Sequence, residues 1–376
     1  MHRRELLKLG AVVGGALFIG GGERLIRTSV AGAQSAVPVV DRLVMTNVVD
    51  NVYDVFARGG KIGDLTVQRH PLPPAGAPGP ALLSEHGLAY HLESFRGGER
   101  KEILLDFALT GATLLSNYQA VKIDPSRADA LILSHGHSDH YGALPDLAGM
   151  MSAWSERGIT LYAGGQDTFC HRWQTTPDGQ RRDGGQLDLA ALDARGIQTI
   201  MAEQPAVVAG HALTSGHIPR LTDYEVPPAA FKLEAGAVGS GCDPSLHFPA
   251  GTMQVETPAG ELVQDIFWGE HATAYHVQDR GLVVISSCGH AGIVNSVRHI
   301  QAVSGVEKVH AVVGGWHLAP SPPEVIASTI GALKDINPDY LIPMHCTGFP
   351  MISAIQQQMP SKLVLPSTGT RVVFGA

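Results

Sequence analysis

Residues 134–144 read SHGHSDHYGAL and close a short apolar run over 131–134. His135 and His137 stand two positions apart, so on extended backbone their imidazoles project to the same side. Asp139 and His140 open the next segment, where apolar spacing predicts a helix over 142–157. Strand, loop and helix in that order place the histidines at the carboxyl end of a strand, where α/β proteins usually bind ligands. Three imidazoles and one carboxylate within six residues form a borderline-soft donor set suited to Zn²⁺. The plain alternative is a solvated His-rich turn. Such a cluster without metal would repel itself when protonated and waste polar capacity when buried.

Outward from this segment the chain alternates β-rich runs with turn signals. Strands are expected over 42–48, 87–93, 101–107, 281–286 and 310–313, and helices over 293–304 and 323–336. The Pro/Gly-rich stretch 67–81 and the polar stretch 177–185 read as loops. Between about 165 and 265 the pattern weakens, which reads as insertions over one face of a single domain spanning 39–376. The chain has 376 residues, enough for a sizeable core. Its net charge of -8 argues against a nucleic-acid groove, which needs clustered Lys and Arg. Eighteen histidines against four cysteines point to a metal-using enzyme.

The first 33 residues read as an export signal rather than part of the fold. HRRELLK at 2–8 carries a twin arginine, the run 9–22 is apolar but too short to span a bilayer, and Ala31-Gly32-Ala33 offers a cleavage site. This resembles a twin-arginine signal, with His2 and Leu6 departing from the usual pattern. The expectation is a periplasmic protein that meets the twin-arginine translocation machinery during export and keeps no stable membrane anchor. In an oxidising compartment Cys170 and Cys242 are the expected disulfide pair, because Cys288 and Cys346 sit inside candidate metal motifs.

SHGHSDHYGAL resembles the HxHxDH motif of the metallo-β-lactamase superfamily. Further pieces resemble the branch named for the dihydropterin–ribofuranosylaminobenzene phosphate synthase: Asp50-Asn51, His86-Gly87-Leu88, Asp106 in LLDFA, Asn117, TSGHIPR at 214–220, CGHAGIVN at 288–295, GGWHL at 314–318 and HCTG at 345–348. The resemblance implies an α/β fold, the four-layer αββα metallo-β-lactamase sandwich, with two divalent metal ions at one edge of its sheets. It assigns His135, His137 and His290 to one metal, and Asp139, His140 and His345 to the other. His at 137, where diiron relatives carry Glu, favours zinc over iron. Read from the residues alone, His290 and His345 each come shortly after an apolar run, with Gly292 and Gly348 a few positions beyond, and a satisfied structural histidine is the competing reading for each.

Other candidates follow from the same motifs. His217 is open between a ligand, a substrate contact and a structural histidine. His317 is a candidate general acid, and Asp106 a carboxylate that orients the ligand loop. Cys288 stands where many relatives have a bridging Asp, and is open between a ligand and a small buried residue. Gly269-Glu270-His271 stands where the branch usually has an Asp-Asp-Gln run, a departure that falls on the substrate pocket rather than the metal site. The implied activity is metal-dependent hydrolysis of a small-molecule ester, lactone, amide or phosphoester, with Asp139 and His317 as catalytic candidates. A true β-lactamase would cleave a chromogenic cephalosporin. A catalytically silent binding protein would hold metal with no open coordination position.

Overall fold

Along the strand Ala89–Arg96, Tyr90 and Leu92 join one buried cluster while Ala89 joins another, so this strand is covered on both faces. The same division organises the whole chain. The computed structural model describes residues 37–74, 76, 79–176, 178–236, 242 and 259–375. The expected export signal over 1–33 lies outside the described residues.

Among the described residues a nine-stranded sheet runs in the order Ile197–Met201, Ile159–Ala163, Ala130–Leu133, Glu99–Leu105, Ala89–Arg96, Arg42–Val49, Arg371–Gly375, Leu65–Gln68, Gly60–Ile62. A seven-stranded sheet faces it: Ala206–Val208, Ala212–Thr214, Thr273–Val277, Gly281–Ser286, Val309–Gly314 and Tyr340–Pro343, with Val39–Val40 beside Thr273–Val277. Leu43, Tyr90, Ile103, Val283, Val313 and Ile342 fill the space between them. The helix Gly111–Ala120 and the short helices Leu144–Met150, Ser152–Arg157 and Leu189–Asp193 cover the first sheet, through Leu114, Leu147, Trp154 and Leu192. The helices Ile293–Ser304, Pro323–Ile336 and Gly348–Gln358 cover the second, through Val297, Ile330 and Met351. This is the expected αββα sandwich. Each buried Val, Leu or Ile contributes roughly 1.5–3 kcal/mol, so the three clusters supply the main driving force.

The helices 293–304 and 323–336 occur at the expected bounds, because each has an apolar stripe and a left-handed stop, at Gly305 and Asn337. The single helix expected over 142–157 is instead two, Leu144–Met150 and Ser152–Arg157, preceded by the short helix Ser138–Tyr141. Pro145 starts a new helix, and Met151 at φ -95°, ψ 76° breaks the next turn. Cys170 and Cys242 form the expected disulfide, with Cα atoms 5.4 Å apart.

The weakly patterned stretch 165–265 is divided. Ile197–Met201, Ala206–Val208 and Ala212–Thr214 belong to the main sheets, whereas Arg181–Gly185, Arg172–Thr175, Phe231–Glu234 and Leu262–Gln264 form a separate antiparallel sheet. The polar stretch expected as a loop therefore contributes a hairpin strand, since its partner at Arg172–Thr175 is supplied from outside its own sequence window. Arg172 fastens this small sheet to the body. Its buried guanidinium donates to Asp265 Oδ2 at 2.9 Å and to the Gly136 carbonyl at 3.1 Å.

Candidate metal centre

Parallel strands from both large sheets end at one edge. Ala130–Leu133 runs parallel to its two neighbours, and so does Val309–Gly314 between Gly281–Ser286 and Tyr340–Pro343. The loops after these strands carry His135, His137, Cys288, His290, His317 and His345. Tertiary pairing thus gathers residues more than two hundred positions apart.

His135, His137 and His290 present ring nitrogens within 4.8 Å of one another. Their centroids are 4.6 to 5.0 Å apart, and Phe267 stacks on His290 at 4.0 Å. Gly136 between the first two admits no side chain, because a Cβ would collide with the Thr168 carbonyl and the Arg172 guanidinium. Burial pushes the pKa of all three imidazoles well below the usual histidine value, which keeps them neutral. Neutral imidazole is the form that binds metal.

A second set adjoins the first. Asp139 Oδ2 lies 3.3 Å from His345 Nε2, 3.3 Å from His86 Nε2 and 3.7 Å from His140 Nε2. Burial opposes the charge on Asp139, yet His140 and His345 beside it hold its carboxyl well below the usual value. For His345, burial lowers the pKa, but Cys346 and Asp139 outweigh it and push it up to about 9. The pocket is therefore built to stabilise positive charge next to Asp139.

Fixed partners hold both sets. Asp106 Oδ2 accepts from His140 Nδ1 at 2.7 Å and from Ser134 Oγ at 2.8 Å, while Oδ1 accepts from Ser134 N–H at 2.8 Å. His345 N–H donates to Asp50 Oδ1 at 3.0 Å, and Asn51 Nδ2 donates to the His345 carbonyl at 3.1 Å. Glu270 accepts from the backbone N–H groups of His290, at 3.0 Å, and Ala291. Asp106, His317 and His345 all adopt positive φ, at 58°, 47° and 50°. Such strain in non-glycine residues persists only where surrounding contacts over-determine it.

The expected metal set, His135, His137, Asp139, His140, His290 and His345, converges at this edge, with Asp106 behind it. Cys288 lies among the donors, grouped with His135 and His140, with His290 and His317, and with His345 and Cys346. His317 is at the same edge, its ring 4.1 Å from His290. His217 is elsewhere. Its ring stacks on Trp268 at 3.6 Å and its Nδ1 pairs with the Trp268 carbonyl at 3.1 Å, so it is a packed structural histidine. Glu270 and His271 brace the ligand loops rather than line a substrate pocket; His271 Nε2 bonds the Leu133 carbonyl at 2.8 Å. Sequence reading missed His86 and Cys346 as members of the cluster. Both stand in quoted motifs, but no spacing links position 86 to 139.

The donor set fits divalent metal. Buried Nε2 atoms of His135, His137 and His140, and both ring nitrogens of His290, have no hydrogen-bond partner. Leaving so many buried polar atoms unpaired is costly unless a cation accepts their lone pairs. A cleft of about 540 Å³ opens onto them, walled by Leu109, Trp173, Arg182, Phe231 and Phe349.

Comparison with known proteins supports the fold. Residues 94–149 match the family profile of the metallo-beta-lactamase superfamily. A 7,8-dihydropterin-6-methyl-4-(beta-D-ribofuranosyl)-aminobenzene-5'-phosphate synthase of Methanocaldococcus jannaschii is 30% identical over 274 residues, 71% of this chain and 82% of its own length. The chain belongs to the metallo-β-lactamase superfamily. An uncharacterised protein of the same organism is 23% identical over 282 residues, 73% of this chain and 89% of its own. Among solved structures, a metal-dependent hydrolase of the beta-lactamase superfamily superposes with a TM-score of 0.61 at 19% identity, covering 88% of this chain and 98% of that one. As a metallo-β-lactamase-fold protein, the chain shares an architecture whose members typically bind divalent metals.

Proposed function

We propose that the chain is an exported metal-dependent hydrolase acting on a small-molecule ester, lactone, amide or phosphoester. The observation that carries this reading is the pair of adjoining donor sets on the floor of one cleft, with buried imidazole nitrogens open. His135, His137 and His290 would hold one zinc ion, and Asp139, His140 and His345 a second, with His86 at its rim. Bound there, two divalent ions would supply Lewis acidity and a nucleophile available near neutral pH.

The chain's own residues do the rest. Asp106, Asp50 and Glu270 hold the ligand loops in place, so little reorganisation remains for the reaction. Leu109, Trp173, Phe231 and Phe349 line the cleft and would receive the apolar part of a substrate. Arg182, which lines the cleft on its outer wall, would receive an anionic group. His317 faces the cleft with Nδ1 3.7 Å from Cys288 Sγ, placed to hand a proton to a leaving group. The twin-arginine motif supports transit through the translocation machinery and a periplasmic location with no stable membrane anchor, and the net charge of -8 argues against a nucleic-acid partner.

The test is metal analysis of the purified mature protein with a panel of lactones, thioesters, phosphodiesters and β-lactams. Two zinc equivalents per chain and turnover on at least one class are expected. Asp139→Ala should lower that turnover by roughly 100-fold or more while keeping the fold. Unchanged turnover in the variant would reject the two-metal reading. Efficient cephalosporin cleavage would narrow the activity to a β-lactamase, and tight metal binding without turnover would leave a binding protein.

A further inference from the structure

We propose that Cys288 and Cys346 form an oxidation site on the cleft floor, where hydrogen peroxide joins them in a disulfide that disables the metal centre. The two Sγ atoms lie 3.1 Å apart. Each follows an outer strand of the parallel trio, Gly281–Ser286 and Tyr340–Pro343, so they meet across the end of Val309–Gly314. Gly315, just past that middle strand, makes the meeting possible. A Cβ there would press on the Ser287 carbonyl and lie 2.8 Å from Cys346 Sγ. Backbone contacts then hold the pair in register. His317 N–H donates to Cys346 Sγ at 3.2 Å, and Cys346 Sγ donates to the Cys288 carbonyl at 3.3 Å.

A disulfide needs the sulfurs to close to about 2.05 Å, a movement of roughly 1 Å. Both thiols line the cleft, which admits an oxidant as small as peroxide. The balance is complete. Cys346 thiol attacks one peroxide oxygen and the O–O bond breaks, giving a sulfenic acid and one water. Cys288 thiol then attacks that sulfur and expels the second oxygen as water, while the S–S bond forms. Two electrons pass from the thiol pair to the peroxide, and the two thiol protons leave in the waters.

The linkage itself depends on the two thiols alone; its effect on metal depends on the metal-centre reading. Cys288 Sγ lies within 4.8 Å of donors from both imidazole sets. Drawing it into a disulfide removes the sulfur at their junction and ties His345's neighbour to the opposite loop. Cys170 and Cys242 are already paired, so Cys288 and Cys346 are the two free thiols of the chain before oxidation.

The experiment treats mature protein, stripped of metal by chelation, with hydrogen peroxide. Thiol titration after denaturation, peptide mapping by mass spectrometry and zinc rebinding are then measured. Expected are loss of both thiols, a mass lower by two hydrogens, a Cys288–Cys346 cross-linked peptide, and zinc affinity reduced at least tenfold relative to the untreated protein. Cys346→Ser should form no internal cross-link under the same oxidant. Intact thiols, intermolecular dimers, or separate overoxidation of the two cysteines would overturn the linkage. A mapped cross-link with unaltered zinc affinity would overturn the control of metal loading. Failure of the reduced protein to bind zinc at all would instead sink the metal-centre reading.

Discussion

Asp106 Oδ2 accepts a 2.7 Å hydrogen bond from His140 Nδ1, and neither side chain touches solvent. This one contact fixes which imidazole nitrogen faces the cluster. With Nδ1 engaged as donor, Nε2 is left to point at Asp139, 3.7 Å away. The carboxylate also ties Ser134, so a single side chain sets both the strand end and the ligand ring.

Asp106→Ala should therefore impair both stability and metal binding. Three buried donors, Ser134 N–H, Ser134 Oγ and His140 Nδ1, lose their acceptor, at a cost of roughly 2–4 kcal/mol. Zinc affinity should fall about 10–100-fold, as for other carboxylates that orient a ligand imidazole. Denaturant unfolding and competition with a chromophoric chelator measure the two effects, and Asp106→Asn should retain part of each. A wild-type zinc affinity in Asp106→Ala would contradict this role.

Zinc should stabilise the fold against heat. Metal binds the folded cluster but meets no assembled site in the unfolded chain, so zinc at 100 times its dissociation constant adds about 2.7 kcal/mol. Differential scanning calorimetry should record a rise in Tm of at least about 3 °C over chelated protein. A Tm indifferent to zinc would argue that the open imidazoles hold nothing.

Glu225 should matter although it lies outside every motif. Its carboxylate accepts from the first-turn N–H groups of Val294 and Asn295 at 2.8 and 2.9 Å, capping the helix that follows the His290 loop. Burial raises its pKa above the usual value, against those two hydrogen bonds. Glu225→Ala should cost about 1–3 kcal/mol in urea unfolding, because two buried donors lose their acceptor. Glu225→Gln should cost less, and an equal loss in both variants would count against the capping account.

Breaking the Cys170–Cys242 link should loosen the small sheet that walls the cleft. The bond closes a loop with a sequence separation of 72. Replacing both cysteines with serine should lower stability by about 2–4 kcal/mol. Reducing the wild type should reproduce most of that loss, and a variant as stable as the oxidised parent would refute it.

Local sequence alone determined a good part of this protein. Apolar runs such as 281–286 and stripes such as 293–304 are periodic, so strand and helix follow from neighbours a few positions away. SHGHSDH likewise announces its chemistry, because three imidazoles and a carboxylate crowd six positions. Only the tertiary structure decided the rest. His217 and His290 look alike in sequence, each a histidine beside glycine after an apolar run. One stacks on Trp268, and the other joins His135 and His137. His86 and Cys346 entered the cluster through partners far along the chain, and 181–185 became a strand by folding back on Arg172–Thr175 in a hairpin. The physical reason is that a side chain's role here depends on which strand ends meet at one sheet edge. That meeting is a matter of long-range pairing, which leaves no period in the sequence.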